Sequence, residues 1–382
     1  MTPPSRGLRV LMTTDAVGGV WVFATALARE LCRRGDKVTL ITLGPPPQEH
    51  QLAAIRNIAG LTVEITDLAL EWMDPEGHDL ARATDRLRDL ERRLKPDLVH
   101  LNSYREASAG FAAPVLLSAH SCVRSWWRAC RGGDPSEERW HTYIADISAG
   151  LARADAWAAP TRAFRDTVQA LYAPPTLGEV IHNGTEFAPP PCVKERFILA
   201  AGRLWDEAKN LSALTAVAPD VAWPVRVAGP LQSFDGASAA GGALEHVEVL
   251  GELPRPDMLA HMRRAAIFIS PAVYEPFGLT VLEAAAAGCA LVLSDIPYFR
   301  ELWADAALMV DPLNNRAIRQ ALQSLCRDSV LRATLQQAAT RRARGYSLAI
   351  TVENYRALYA AMLGTAPMRR TVSTTRSAEA RP

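Results

Sequence analysis

The chain is 382 residues long, 49% apolar, with a formal charge of +1. That length supports two domains of ordinary size, each with its own core, and the balanced charge argues against a general pull toward nucleic acid. Six cysteines without C-x-x-C or zinc spacing read as reduced core residues, so neither a disulfide scaffold nor a structural zinc module is expected.

Residues 1–7 lack the apolar core of a signal peptide, and no apolar stretch approaches the length needed to span a bilayer. The expectation is a cytoplasmic protein, with peripheral contact at the inner face of a membrane left open. Residues 8–12 predict a buried strand and 20–34 an amphipathic helix, joined by Asp15-Ala16-Val17-Gly18-Gly19. Paired glycines admit torsions closed to other residues and let a ligand phosphate approach the main chain without meeting a Cβ. A tight turn with no ligand fits the same residues. A G-x-G-x-x-G is absent, which disfavours a nicotinamide site.

Further strands are predicted at 38–42, 61–65, 98–101, 115–118, 156–158 and 180–181. The run at 115–118 continues to His120, the only one of eight histidines set at a strand end, at the carboxyl edge where open α/β sheets bind ligands. Arg124, Arg128 and Arg131 lie close to Trp126 and Trp127. That cluster suits an anionic acceptor, a membrane surface, or an exposed helix with buried tryptophans. Asn183-Gly184-Thr185 and three consecutive prolines at 189–191 form a turn and a stiff connector, where the domain boundary is placed.

The second half supplies strands at 197–201, 225–228, 247–250, 266–270, 291–294 and 308–310, alternating with helices or loops. After the first of them comes Gly202-Arg203-Leu204-Trp205-Asp206-Glu207-Ala208-Lys209, with a helix beginning near Asn210. A guanidinium and a nearby ammonium suit a diphosphate on which charge builds as a bond to it breaks. A solvated pairing of Arg203 and Lys209 with Asp206 and Glu207 is the plain alternative. Glu275-Pro276-Phe277-Gly278-Leu279-Thr280 leads into Val281-Leu282-Glu283 and an alanine run. Pro276 and Gly278 resist helix and the following residues favour it, so a helix should start near Leu279 or Thr280. Its first amides, those of Gly278, Leu279 and Thr280, would face an anion, with Glu275 and Glu283 on either side. A final helix is predicted at 348–362, and a polar tail without apolar bulk follows from Gly364.

The segments Gly18-Gly19, Ser118-Ala119-His120, Gly202-Arg203 to Lys209 and Glu275 to Glu283, in this order, resemble the retaining GT-B glycosyltransferases of family 4. The resemblance extends over nearly the whole chain. It implies an α/β chain of GT-B architecture, two Rossmann-like parallel-sheet domains facing across a cleft. The acceptor-side domain would be 1–185, the donor domain 190–346, helix 347–363 would pack back on the first domain, and 364–382 would be a disordered tail. It implies that Arg203 and Lys209 bind the donor diphosphate and that Gly18 and Gly19 lie against it. His120 would stand near the sugar, Glu275 would hold sugar hydroxyls and Glu283 ribose hydroxyls. Main-chain groups at Glu252 and Leu253 would read the base, and Asn183 belongs to a Val180-Ile181-His182-Asn183-Gly184 hinge. Phe277, Gly278, Leu279 and Thr280 would line the donor side. The chain departs from the pattern at Ser121, where an acid usually follows the histidine, at His182 in place of a proline, and at Leu348 in place of an aromatic.

The activity so implied is metal-independent transfer of a sugar, with retention, from a nucleoside-diphosphate sugar to a glycan, lipid-linked or small-molecule acceptor. The nucleotide sugar is a co-substrate and no further cofactor is expected; no Asp-x-Asp occurs in the chain. A non-catalytic nucleotide-sugar-binding protein of this fold, or another GT-B enzyme such as an epimerase, is the alternative.

Overall fold

The computed structural model describes residues 7–186, 193–233, 244 and 246–364. The proline connector, Cys192 and the expected tail beyond Gly364 lie outside the described residues.

Strands β1 (Arg9–Asp15), β2 (Lys37–Leu43), β3 (Leu61–Ile65), β4 (Leu98–Leu101), β5 (Val115–Ser118), β6 (Ala156–Ala159) and β7 (Glu179–Val180) form one parallel sheet in the order β3-β2-β1-β4-β5-β6-β7. Strands β8 (Glu195–Ala201), β9 (Val225–Ala228), β10 (Glu248–Gly251), β11 (Ala265–Ser270), β12 (Ala290–Ser294) and β13 (Ala307–Val310) form a second, in the order β10-β9-β8-β11-β12-β13. Each sheet with its helices is called a lobe below. The central strands read as near-continuous apolar runs because helices cover both faces, and β4, β5 and β12 are buried along their whole length.

Both sheets reverse direction at one point, between β1 and β4 in the first and between β8 and β11 in the second. Strands on either side of a reversal send their connections to opposite faces, leaving a crevice at their carboxyl ends. Gly18 and Gly19 follow β1, Arg203 to Lys209 follow β8, and Glu275 follows β11. His120 follows β5, next to β4.

The Leu348–Met362 helix belongs to the second half of the chain but packs on the first sheet. Val352, Tyr355 and Tyr359 join Phe23, Leu27 and Leu31 of the Gly19–Arg33 helix in one core cluster. Burial of each such side chain contributes about 2 kcal/mol. A polar thread runs through the same contact: His100 Nδ1 lies 2.7 Å from the Tyr359 hydroxyl and Nε2 2.7 Å from Ser118 Oγ, which is 3.0 Å from the Tyr355 hydroxyl. Thr351 Oγ1 donates to the His182 carbonyl at 2.9 Å. Leu348, in place of the usual aromatic, is buried in this cluster.

Among the described cysteines, Cys32, Cys122 and Cys289 are buried free thiols, whereas Cys130 and Cys326 are only half-buried. Among the described residues no helix is long and apolar enough to cross a membrane.

Candidate active site

The first glycine loop meets the second lobe by close approach. Gly18 has φ −172°, extended backbone open to any residue, and Gly19 begins the helix. The expected torsional need for glycine is therefore absent, and what the two positions share is closeness to the second lobe. A Cβ on Gly18 would stand 3.4 Å from Arg203 Nη1, and one on Gly19 3.7 Å from Leu279 Cδ1. Two side chains of the second lobe thus lie within van der Waals reach of consecutive glycines of the first.

From there a ring of contacts can be followed. Arg203 Nη2 donates to Asp206 Oδ2 at 3.0 Å. Three residues beyond Asp206, across a short 3-10 turn, Lys209 Nζ donates to Glu275 Oε2 at 2.5 Å. Glu275 Cγ lies 3.3 Å from the Cβ position of Gly278, whose φ of +84° is left-handed and suits only glycine without strain. Leu279 opens the Leu279–Ala286 helix, has no side-chain cap before it, and reaches back to Gly19. The helix starts where the sequence predicts, and its uncapped first turn faces the interior of this ring with the positive end of the dipole.

Charges inside the ring are mutually arranged. Burial pushes the Asp206 carboxyl up, but the Arg203 guanidinium, Lys209 and a bond from Trp126 outweigh it and hold it below its ordinary value. Asp15, at the end of β1, has its carboxyl pushed up by burial, while the Val17 amide and the Arg203 charge pull it down. Asp15 Oδ1 also accepts from the Val17 amide at 2.8 Å, which shapes the glycine loop. Arg203 Nε is buried and has no hydrogen-bond partner among the described residues. An orphaned cationic N–H at the mouth of a cleft fits an anionic ligand.

His120 stands on the first lobe at the carboxyl end of β5. Its Nε2 lies 2.7 Å from Asn102 Oδ1, and Asn102 Nδ2 donates to the Thr13 carbonyl at 2.7 Å. A carbonyl only accepts, so Asn102 must present its NH2 to Thr13 and its oxygen to the histidine, which places the His120 proton on Nε2. Burial pushes this imidazole down to about 4, so Nδ1 remains a neutral acceptor. The ring also meets Phe23, one turn into the helix that Gly19 begins, at 4.8 Å. Ser121 follows it and is exposed.

A second cluster gathers the remaining expected residues. Glu283 is 7% exposed, and Arg255 Nη2 lies 2.7 Å from its Oε1 at an angle outside hydrogen-bond geometry. Burial raises the Glu283 carboxyl, and Arg255 opposes this. Arg255 Nη2 also reaches Thr185 Oγ1 at 3.4 Å, beside Asn183, whose buried Oδ1 has no partner among the described residues. Glu252 is exposed and Leu253 half-buried, in the turn between β10 and the Arg255–Arg264 helix. Thr280 is half-buried.

One expectation is corrected. The Phe277 side chain does not line the cleft; it is 4% exposed and meets Tyr346 edge to face at 6.2 Å, a core contact set by the preceding loop. Of the readings open for the basic cluster after His120, the helix with packed tryptophans fits the observed contacts, with Trp126 and Trp127 against the core. Arg124 and Arg128 both pair with Asp134 at 2.8 and 2.6 Å, and Arg131 pairs with Glu207 at 2.9 Å while stacking on Trp126 and Trp127. Sequence reasoning missed Asp15, Asn102 and Trp126. Asp15 ends a strand at the switch point, which was the available signal; the other two act through partners far away in sequence.

Comparison with known proteins agrees with this architecture. Residues 17–188 match the model of Glycosyltransferase Family 4, and residues 186–342 match that of glycosyl transferases group 1. A phosphatidyl-myo-inositol mannosyltransferase of Mycobacterium leprae is 29% identical over 170 residues, 42% of this chain and 46% of that protein. A glycogen synthase of Mycobacterium tuberculosis is 27% identical over 330 residues, 76% of this chain and 78% of that protein. Among solved structures, a sucrose-phosphate synthase of Thermosynechococcus elongatus superposes with a TM-score of 0.77 at 17% identity, over 94% of this chain and 100% of that one. Anabaena HepE in complex with UDP does so with a TM-score of 0.69 at 15% identity, over 93% and 100%. With two parallel sheets of this order and family matches that adjoin across their junction, the chain belongs to the GT-B glycosyltransferases, with a Family 4 first half and a group 1 second half.

Proposed function

We propose that this chain is a retaining, metal-independent glycosyltransferase that moves a hexose-type sugar from a nucleoside-diphosphate sugar to a glycan, lipid-linked or small-molecule acceptor. The observation that carries the reading is the ring from Gly18 through Arg203, Lys209, Glu275 and Leu279 to Gly19, closed across the two switch points. The relatives support the substrate class: one named match is a mannosyltransferase, another a glycogen synthase, and one structural neighbour holds UDP.

In this reading Arg203, Lys209 and the first amides of the Leu279–Ala286 helix hold the diphosphate. Leaving-group charge develops there in the transition state, and fixed cations stabilise it in the role a divalent ion takes elsewhere. Glu275, already on Lys209, orients sugar hydroxyls, and Glu283 binds the ribose with Arg255 beside it. Neutral His120 offers Nδ1 as an acceptor toward the sugar. Gly18 and Gly19 let the first lobe close onto the donor, which excludes water and favours transfer over hydrolysis. No carboxylate is assigned as nucleophile; for retention, the leaving phosphate accepts the acceptor's proton on the same face, and Glu275 and Glu283 bind and orient.

The acceptor belongs to the first lobe. Gln51 Nε2 donates to the Ala16 carbonyl at 3.1 Å, tying the short Glu49–Ala53 helix and the loop before it to the glycine turn. Beside that loop lies an open groove of about 780 Å³, lined by Pro46, Ile65, Leu68, Arg82 and Arg86 among others.

The test is nucleotide release from a panel of UDP-glucose, GDP-mannose and ADP-glucose, with and without EDTA, followed by anomeric NMR of the product. Release that survives EDTA with a retained anomeric configuration supports the proposal. Inversion, dependence on an added divalent ion, or binding of every donor without turnover each overturns the corresponding part.

A further inference from the structure

The Arg203–Lys209 segment of the second lobe is gripped by a helix of the first. Trp126, on the Val123–Arg131 helix, donates its indole Nε1–H to Asp206 Oδ1 at 2.9 Å. The same oxygen accepts from the Ala208 amide at 3.0 Å, and Oδ2 takes Arg203 Nη2 at 3.0 Å. Asp206 is 5% exposed, so water does not compete for these positions. Three donors on two oxygens fix the plane of the carboxylate, and through it the side of the guanidinium that faces Asp206. One of the three comes from the other lobe. Arg131, on the same helix, pairs with Glu207 at 2.9 Å and stacks over Trp127 and Trp126, so the helix holds two consecutive residues of the segment.

We infer that Trp126 is a positioning residue for Arg203: through Asp206 it sets the guanidinium toward the cleft only while the two lobes are docked. The inference rests on the donor-binding reading of Arg203. Without the indole N–H, Asp206 Oδ1 keeps only the Ala208 amide and the carboxylate can turn, taking Arg203 with it. Separation of the lobes does the same, so the cation that stabilises the leaving group is correctly aimed in the docked arrangement and loosened outside it. Hydrolysis of a donor bound to an undocked chain is suppressed by this coupling.

The test uses the full chain with Trp126→Phe, Asp206→Asn, the double variant, Trp127→Phe as a packing control and Arg203→Ala as a reference. Two quantities are read: kcat and KM with the nucleotide sugar that the wild-type chain turns over fastest in the panel above, and binding of inorganic pyrophosphate by calorimetry. Trp126→Phe should lower kcat about tenfold, the size of a hydrogen bond to a charged group, with donor KM changed less than about threefold. Pyrophosphate should bind about threefold more weakly, and the melting temperature should match that of Trp127→Phe. In the Asp206→Asn background Trp126→Phe should have no further effect, because both act through one carboxylate. Multiplying losses in the double variant, or wild-type kcat and pyrophosphate affinity in Trp126→Phe, overturn the inference. If Arg203→Ala itself keeps wild-type kcat, or the wild-type chain binds no pyrophosphate, it is the donor reading that falls.

Discussion

Removal of the Arg203 side chain is the perturbation that bears most directly on the donor reading. Nη2 is committed to Asp206 and Nε is buried without a partner among the described residues, so Nη1, beside Gly18, is the nitrogen open to a diphosphate. Loss of a preorganised donor to developing negative charge costs about 100- to 1,000-fold in rate. The side chain is 38% exposed in the open cleft, and solvent screens the charge there, so the lower figure applies. Arg203→Ala should therefore lower kcat about 100-fold, with a smaller change in donor KM. Arg203→Lys should recover little, since an ammonium lacks the rigid planar fork that holds Asp206 on one nitrogen and directs another at a diphosphate. Steady-state nucleotide release at saturating donor measures this, with the melting temperature as a check on folding. A kcat within about threefold of wild type in a folded Arg203→Ala chain would show that the ring does not hold the leaving group.

Lys209→Ala should lower kcat by a similar factor of about 100, whereas Glu275→Gln keeps the size of its partner and should cost less; the reverse ranking in the same assay would mean that the pair is structural. Glu283→Ala should chiefly weaken nucleotide binding, by about tenfold in calorimetric Kd for a ribose contact, with kcat nearly unchanged; unaltered nucleotide affinity would remove Glu283 from the site. Stability should fall on acidification. Burial, with His120 adding to it, pushes His100 down to about 3, and burial pushes His120 to about 4, whereas an unfolded imidazole takes up its proton near 6.5. The unfolded chain therefore binds more protons between about 6.5 and the folded values, and stability drops as pH falls through that window. Burial and the neighbouring Glu106 raise the Glu71 carboxyl to about 8, which acts in the opposite sense, being lost as pH rises from 4.5. The readout is thus the difference between wild type and His100→Gln in urea midpoint. The variant should show a flatter fall between pH 6.5 and 4, and parallel curves would contradict the assignment.

The strand framework was legible because buried parallel strands are runs of β-branched and aliphatic residues bounded by turns. The runs at 61–65, 98–101, 115–118 and 225–228 match strands residue for residue. Boundaries moved where backbone pairing runs past the apolar residues, as at β8, where the polar Glu195 is paired with Ala265 of β11. The ring residues were legible as types at fixed distances from strand ends. What could not be read is which partner each finds: Trp126 and Asp206 are 80 residues apart, and no local pattern links them. Phe277 misled because a residue between two functional ones shares their loop without sharing their direction. The buried set of Glu71, Arg105 and Glu106, in which Arg105 binds Asp74, Glu106 and the Ala69 carbonyl, left no trace in the sequence either, since charged residues are normally exposed.

The contacts between the lobes combine polar bonds with apolar packing. On the floor of the cleft the bonds are made by hydroxyls: Tyr274 with Ser125 at 2.7 Å and Thr161 with the Pro276 carbonyl at 3.0 Å. A neutral bond of this kind contributes about 1 kcal/mol net, because water replaces it on opening. The ion pair at the rim, Arg131 with Glu207, is nearly half exposed on both sides and contributes no more. Apolar packing crosses the same joint: one core cluster holds Trp140 and Phe164 of the first lobe with Phe268 and Tyr298 of the second, and Phe164 meets Tyr298 edge to face at 6.3 Å. Opening of the joint therefore exposes apolar surface as well as breaking these bonds. Neutral donors meet carboxylates at two places in the joint: Glu301 accepts from the Arg162 and Ala163 amides at 2.8 Å, and Asp206, the buried one of the two, accepts from Trp126 and orients the proposed phosphate-binding arginine.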